Sequence, residues 1–220
     1  MPVLLNTSIV SGIISPIVSD AVESVVLITK LYGRVAYFDG SDALKTGVKL
    51  DPSTDQTLSF TFVIENVSSA PNIVSDRSTE RMFNLNVLAD GRLFLGTEDS
   101  LGFTQTKLLD AGGIVNNVRY RVEATYTQST KTWSVNVNGS TVGTHAHTGT
   151  FTVGNLGEIT LADTFSGAGV NMVGTIYDVN MNDANAWAGH GIQAGNWVDL
   201  IGSADIVTGV SGLTLYAGTV

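Results

Sequence analysis

The stretch AYFDGSDAL, residues 36–44, sets Asp39 and Asp42 on either side of a Gly-Ser pair, directly after two aromatics. Loop carboxylates this close are the oxygen donors that Ca²⁺ takes. The same residues also make a tight turn, because Asp and Gly adopt the backbone conformations that turns require. Asp163 and Asp178 are further carboxylates of this kind. In THAHTG, His145 and His147 stand two apart, so on a strand they share a face. Zinc needs at least a third protein ligand. His190 is remote from the pair, which therefore reads as two surface histidines of a hairpin arm. Trp187 and Trp197 lie in the Gly-rich segment ANAWAGHGIQAGNWVDLIGS. An exposed indole there could stack on a sugar ring, whereas a buried one would anchor the segment to the fold. The turn is the favoured reading, so no cofactor is expected, with calcium at Asp39 and Asp42 as the alternative; Trp187 and Trp197 are the carbohydrate-binding candidates.

Other chemistries find little support. No Ser-His-Asp arrangement or Gly-x-Ser-x-Gly elbow is recognisable, and Gly112-Gly113 is not followed by a phosphate-loop lysine. The chain has no cysteine, hence no disulfide framework and no thiolate metal site. A net charge of -9 and a pI near 4.5 repel a nucleic-acid partner, since such affinity rests on Lys and Arg neutralising phosphates. The apolar start MPVLLNTSIVSGIISPIVSD lacks the basic residues of a signal peptide. Asp20 and Glu23 then interrupt the apolar run before it reaches membrane-spanning length, so neither export nor membrane insertion is expected.

The elements that must position these residues are legible from periodicity. Hydrophobic residues make up 43% and charged residues 14% of the 220, which supplies a sizeable core. Residues 1–31 form an apolar arm for docking or oligomerisation, in which spacing from Ser19 onward suits a short helix or a strand. From residue 32 to 183 the period is two. Phe60, Phe62 and Ile64 share a face of TLSFTFVIEN, and Phe83, Leu85 and Val87 share one of RMFNLNV. Tyr120, Val122, Ala124 and Tyr126 alternate with polar residues, as do Trp133, Val135 and Val137 on the next strand. Tyr177, Val179 and Met181 line one side of GTIYDVNMND. Asp90-Gly91 and Asn138-Gly139 supply hairpin turns. The charged run SDRSTER, residues 75–81, reads as a solvated loop with local ion pairs. Residues 184–220 form a tail that completes the sandwich or contacts a partner. One apolar face per strand, with no long helices between, predicts an all-β, two-sheet antiparallel sandwich.

The order of motifs resembles the concanavalin A-like lectin/glucanase superfamily, in particular its laminin G-like branch. The matching features are Tyr37-Phe38-Asp39-Gly40, TLSFTFVIEN, Asp90-Gly91, YRVEATYTQSTKTWSVNVNG and VGTIYDVNM. They cover residues 32–183, and the resemblance implies a jelly roll. It implies no single activity, because the fold hosts lectins, hydrolases, lyases and adhesive modules. Glucan-cleaving members carry a Glu-x-Asp-x-x-Glu strand, since retaining chemistry needs two carboxylates about 5 Å apart. Here Glu65 ends its strand and Glu123 stands among Arg119, Arg121 and Thr125, so no enzymatic activity is expected. The style of the chain resembles that of tailed-bacteriophage structural proteins. It implies a virion component, a head-decoration or tail-fibre protein, docked by its termini to other virion proteins and self-associating as a homo-oligomer. A host-surface glycan is the further partner expected. The alternatives are a bacterial carbohydrate-binding module and, behind it, a divergent glycan-active hydrolase or lyase.

Overall fold

The computed structural model describes residues 35–40, 43–76, 78–162, 172–188, 192–193, 196–197, 206–207 and 213–216, with side chains described between residues 36 and 184 of these. The N-terminal arm, Asp42 and Asp163 lie outside the described residues, as do the side chains of Trp187 and Trp197.

Among the described residues, seventeen strands follow one another. The first are β1 (Val35–Asp39), β2 (Leu44–Lys49), β3 (Gln56–Ile64), β4 (Asn72–Asp76), β5 (Arg81–Val87), β6 (Leu93–Asp99) and β7 (Gly102–Leu109). Then come β8 (Arg119–Thr127), β9 (Thr132–Val137), β10 (Ser140–Ala146), β11 (Glu158–Leu161) and β12 (Val173–Met181). The chain ends with β13 (Asn185–Ala188), β14 (Ile192–Gln193), β15 (Asn196–Trp197), β16 (Ile206–Val207) and β17 (Leu213–Tyr216). An eight-stranded antiparallel sheet has the order β10-β9-β8-β3-β12-β1-β17, with β13 also paired to β12. A six-stranded sheet has the order β2-β11-β4-β5-β6-β7, and β14, β15 and β16 form a small third sheet. The two large sheets pack face to face.

Alternation places the core where periodicity predicts it. Phe60, Phe62 and Ile64 on β3 are fully buried; on β8 Val122 lies opposite Phe60 and Tyr120 opposite Phe62, with Ala124 and Tyr126 buried further along. Phe83, Leu85 and Val87 on β5 supply the opposing layer. Trp133 on β9 joins the sheets: its ring meets Phe83 edge-on at 4.9 Å, and its Nε1 donates to the Met82 carbonyl at 2.9 Å. The turn from β9 to β10 carries positive φ at both Asn138 (52°) and Gly139 (79°). This is the conformation that tight hairpins need and that Asn-Gly tolerates. Tyr37 and Phe38 sit on β1, with Phe38 buried and Tyr37 half-buried.

Two expectations are corrected. On β12 it is Ile176, Val179 and Met181 that are buried, while Tyr177 is half-exposed. The cause is a bulge: the register with β3 shifts between Ile176 and Asp178, so Tyr177 is the extra residue. A bulge reverses the side-chain alternation, and here the ring turns outward beneath the Arg119 guanidinium, 4.3 Å from its centroid. The run SDRSTER is also not a solvated loop. Ser75 and Asp76 are buried in β4, and Glu80 is buried just before β5. The Asp76 carboxylate accepts the backbone N–H groups of Met82 (2.7 Å) and Phe83 (2.9 Å). Glu80 accepts from the Thr152 N–H and from Asn155 Nδ2. These carboxylates occupy donors that the irregular start of β5 and the 152–155 turn leave open.

Candidate functional site

Of the carboxylates considered for calcium, Asp39 and Asp178 are the two among the described residues. Asp39 ends β1 opposite Val173, and Asp178 lies five residues further along β12. At the rise of a strand that separation is about 16 Å, too far for one ion to bridge. Asp178 instead has Arg121 at 3.9 Å. Among the described residues no group of three or more His, Asp or Glu side chains could hold a metal. Trp187 pairs with Val179 along β13, and Trp197 pairs with Ile192 and Ile206.

The two histidines do share a face, yet they are buried, at 2% and 5% exposure, rather than on the surface. Register explains why. His145 on β10 lies opposite Trp133, and Trp133 lies opposite Tyr126, so all three face the interior. Near the β10 edge the facing sheet offers hydroxyls instead of apolar groups. His145 Nε2 lies 2.9 Å from Thr97 Oγ1, and its Nδ1 lies 2.8 Å from Thr106 Oγ1. Burial pushes His145 below the ordinary histidine range, and protonation of the neighbouring His147 would push it further. His145 is therefore neutral, and each ring nitrogen has a partner that can match its role.

The next step of the alternation reaches the rim of the sandwich. His147 Nε2 is 3.0 Å from the Tyr126 hydroxyl, and its Nδ1 is 3.5 Å from Asp99 Oδ2. With the proton on Nδ1, toward Asp99, Nε2 accepts from the tyrosine. Burial pushes His147 down and outweighs the pull of Asp99 toward the charged form. Burial also raises the Tyr126 hydroxyl, helped by Asp55. Burial alone would raise the Asp99 carboxyl, but the N–H groups of Leu101 (2.8 Å) and Gly149 (2.7 Å) hold it below the usual carboxylate range. A Cβ at Gly149 would sit 2.4 Å from the Asp99 carboxyl carbon, so only glycine admits this approach.

In front of these rings opens a cleft of about 240 Å³. Tyr126, His147 and Phe151 form its aromatic side: Tyr126 and His147 stack at 5.9 Å and 16°, and Phe151 tilts against His147 at 4.4 Å. Ser53, Gln128 and Lys131 supply polar groups. Lys131 follows the 3₁₀ turn Gln128–Thr130 with a φ of 50°. Its carbonyl accepts the His147 N–H at 3.1 Å, which ties the two sides of the cleft together.

Sequence reasoning placed Tyr126 in the core and missed Asp99, Lys131 and Phe151 as site residues. One signal was present. His145, His147, Gly149 and Phe151 continue a single period-two series, all on the inward side. The contributions of residues 52–53 and 126–131 depend on pairing between distant strands, which periodicity does not specify.

No family model and no curated protein matches the sequence. Solved structures do match the fold. Domains LG4-5 of the mouse laminin alpha1 chain align with a TM-score of 0.59 at 12% identity, over 86% of this chain and 47% of that one. The chain thus spans about half of that laminin structure. A SAP-like pentraxin from Limulus polyphemus aligns at 0.56 and 15% identity, over 86% of this chain and 96% of its own. The CBM40 of a Ruminococcus gnavus IT-sialidase aligns at 0.52 and 11% identity, over 67% and 89%. At these identities likeness establishes architecture: the chain is a two-sheet antiparallel jelly-roll sandwich, similar in fold to the laminin and pentraxin structures.

Proposed function

We propose that the chain is a non-enzymatic, lectin-like binding module that seats one sugar ring of a glycan in the rim cleft. The observation that carries this reading is the cleft itself, with Tyr126, His147 and Phe151 on one side and Ser53, Gln128 and Lys131 around them. A sugar ring has an apolar face and a belt of hydroxyls, and aromatic rings beside convergent polar groups complement both. The fold supports the reading by analogy, since one structure similar in fold is a carbohydrate-binding module.

Two buried carboxylates at this end of the sandwich support binding rather than hydrolysis. Asp99 and Glu80 are both held below the usual carboxylate range and are both engaged with backbone N–H groups. Neither carries the proton that a general acid must deliver. A broad glycan array, run with and without calcium, is expected to give hits that Phe151→Ala weakens about tenfold through lost ring stacking. An array without hits in either condition would remove the reading.

In the same proposal the module is the exposed part of a virion component, a head-decoration or tail-fibre protein docked through its termini. The support is the character of the sequence: acidic, free of cysteine and opening with an apolar arm. Purified particles should then contain the chain, in hundreds of copies for a decoration or a few for a tail protein; particles without it would refute the placement.

A further inference from the structure

Charge is distributed unevenly over this acidic protein. Lys45, Arg81, Arg92, Lys107 and Arg121 each have a carboxylate within ion-pair range. Lys131 has none among the described residues, nor do Lys49, which donates to the Leu156 carbonyl, and Arg119, which lies over Tyr177. The Lys131 Nζ donates to the Gly149 carbonyl at 2.9 Å and reaches the Thr148 carbonyl at 3.5 Å. An ammonium has three N–H donors, so these neutral partners fix its position, leave its charge uncompensated and leave one donor over. Lys131 also lines the cleft, where no described carboxylate does. The other basic group there, His147, is neutral for the reasons given above. Lys131 is therefore the charged side chain that the cleft presents among its described lining residues, while Asp51, Asp55 and Asp99 stand behind the lining with oxygens engaged by Ser53, Gln128 and Gly149.

We propose that the rim cleft selects sugars bearing a carboxylate, with the Lys131 ammonium meeting the acid group while the ring lies against Phe151. This inference rests on the reading of the cleft as a sugar site. A point charge on a tethered stem suits a carboxylate without demanding the two-pronged geometry that arginine imposes. One charge-assisted hydrogen bond in a partly dry cleft corresponds to about a tenfold preference over the same ring carrying a neutral substituent.

The test uses matched methyl glycosides that differ only in a carboxylate or hydroxymethyl group at C6: glucuronide and glucoside, galacturonide and galactoside, mannuronide and mannoside. Affinities are measured by calorimetry on the full chain. In at least one pair the acidic member is expected to bind about tenfold tighter. Lys131→Met should bring that ratio close to one by weakening the acidic member far more than the neutral one, and Lys131→Arg should keep most of the preference. Equal binding of both members, or a preference that survives in Lys131→Met, would overturn the inference and leave the sugar site standing. Binding by neither member of any pair would overturn the inference, and an empty glycan array besides would overturn the sugar site as well.

Discussion

Trp133→Ala is expected to lower the stability of the fold by about 5 kcal/mol. The side chain is fully buried, and its ring lies between Phe83 of the smaller sheet and Tyr126 of its own, at centroid distances of 4.9 and 5.3 Å. Truncation removes a large apolar surface from both layers and leaves a cavity that two rigid sheets cannot close. It also orphans the Met82 carbonyl, which accepts from Trp133 Nε1 at 2.9 Å. A single domain is stable by only about 5–15 kcal/mol, so the variant should sit close to unfolding. Trp133→Phe separates the two effects: it keeps a ring in the gap but leaves the carbonyl unpaired, for a loss of about 2 kcal/mol. Urea unfolding curves measure both. An alanine variant within about 1 kcal/mol of the parent would show that the sheets are not joined through this residue.

The second large effect concerns pH. Burial pushes the Asp76 carboxyl up to about 7 from 3.8, against the opposing pull of the Phe83 and Met82 N–H groups. Between those two pH values the folded chain holds a proton that the unfolded chain releases. The stabilisation linked to this group is therefore complete below pH 3.8 and is lost as pH rises through about 7. At 1.36 kcal/mol per unit the loss approaches roughly 4 kcal/mol. Asp99 and Glu80 act in the opposite sense, since their carboxyls are held low. Their contribution is present above the unfolded value and is lost as pH falls through the folded one, so it belongs to acid conditions. Urea unfolding at pH 5 and pH 8 of the parent and of Asp76→Asn, which cannot titrate, isolates this group. His145 and His147, held low by burial, strengthen both proteins as pH rises over the same window, so the variant should gain stability from pH 5 to pH 8. The parent should be more stable than the variant at pH 5, and that advantage should shrink by pH 8. An advantage of equal size at both pH values would contradict the burial of this carboxyl.

The sequence disclosed the parts of the fold that depend on local alternation. Phe60, Phe62 and Ile64, or Tyr120, Val122, Ala124 and Tyr126, declare their inward side because one strand face must leave water. Tyr177 could not be read this way, because one extra residue in β12 reverses the alternation and nothing in GTIYDVNMND marks where the extra residue sits. Asp76, Glu80 and His145 were misplaced for another reason. A polar side chain is buried only when a partner meets it, and their partners come from irregular turns or from the opposite sheet. Thr97 and Thr106, which hold His145, are 48 and 39 residues away from it. The cleft joins residues 52–53, 126–131 and 147–153, so it exists only once β8, β9 and β10 have paired and the turn after β2 has folded beside them.

The most direct test of the rim cleft as the binding site is an amide-resolved NMR titration of the full chain with the tightest array ligand. The resonances of Tyr126, Gln128, Lys131, His147, Gly149 and Phe151 should shift together in a saturable way, and Phe151→Ala should weaken that response without altering the rest of the spectrum. Saturable shifts confined to the outer faces of the sheets, with these six residues unmoved, would contradict it.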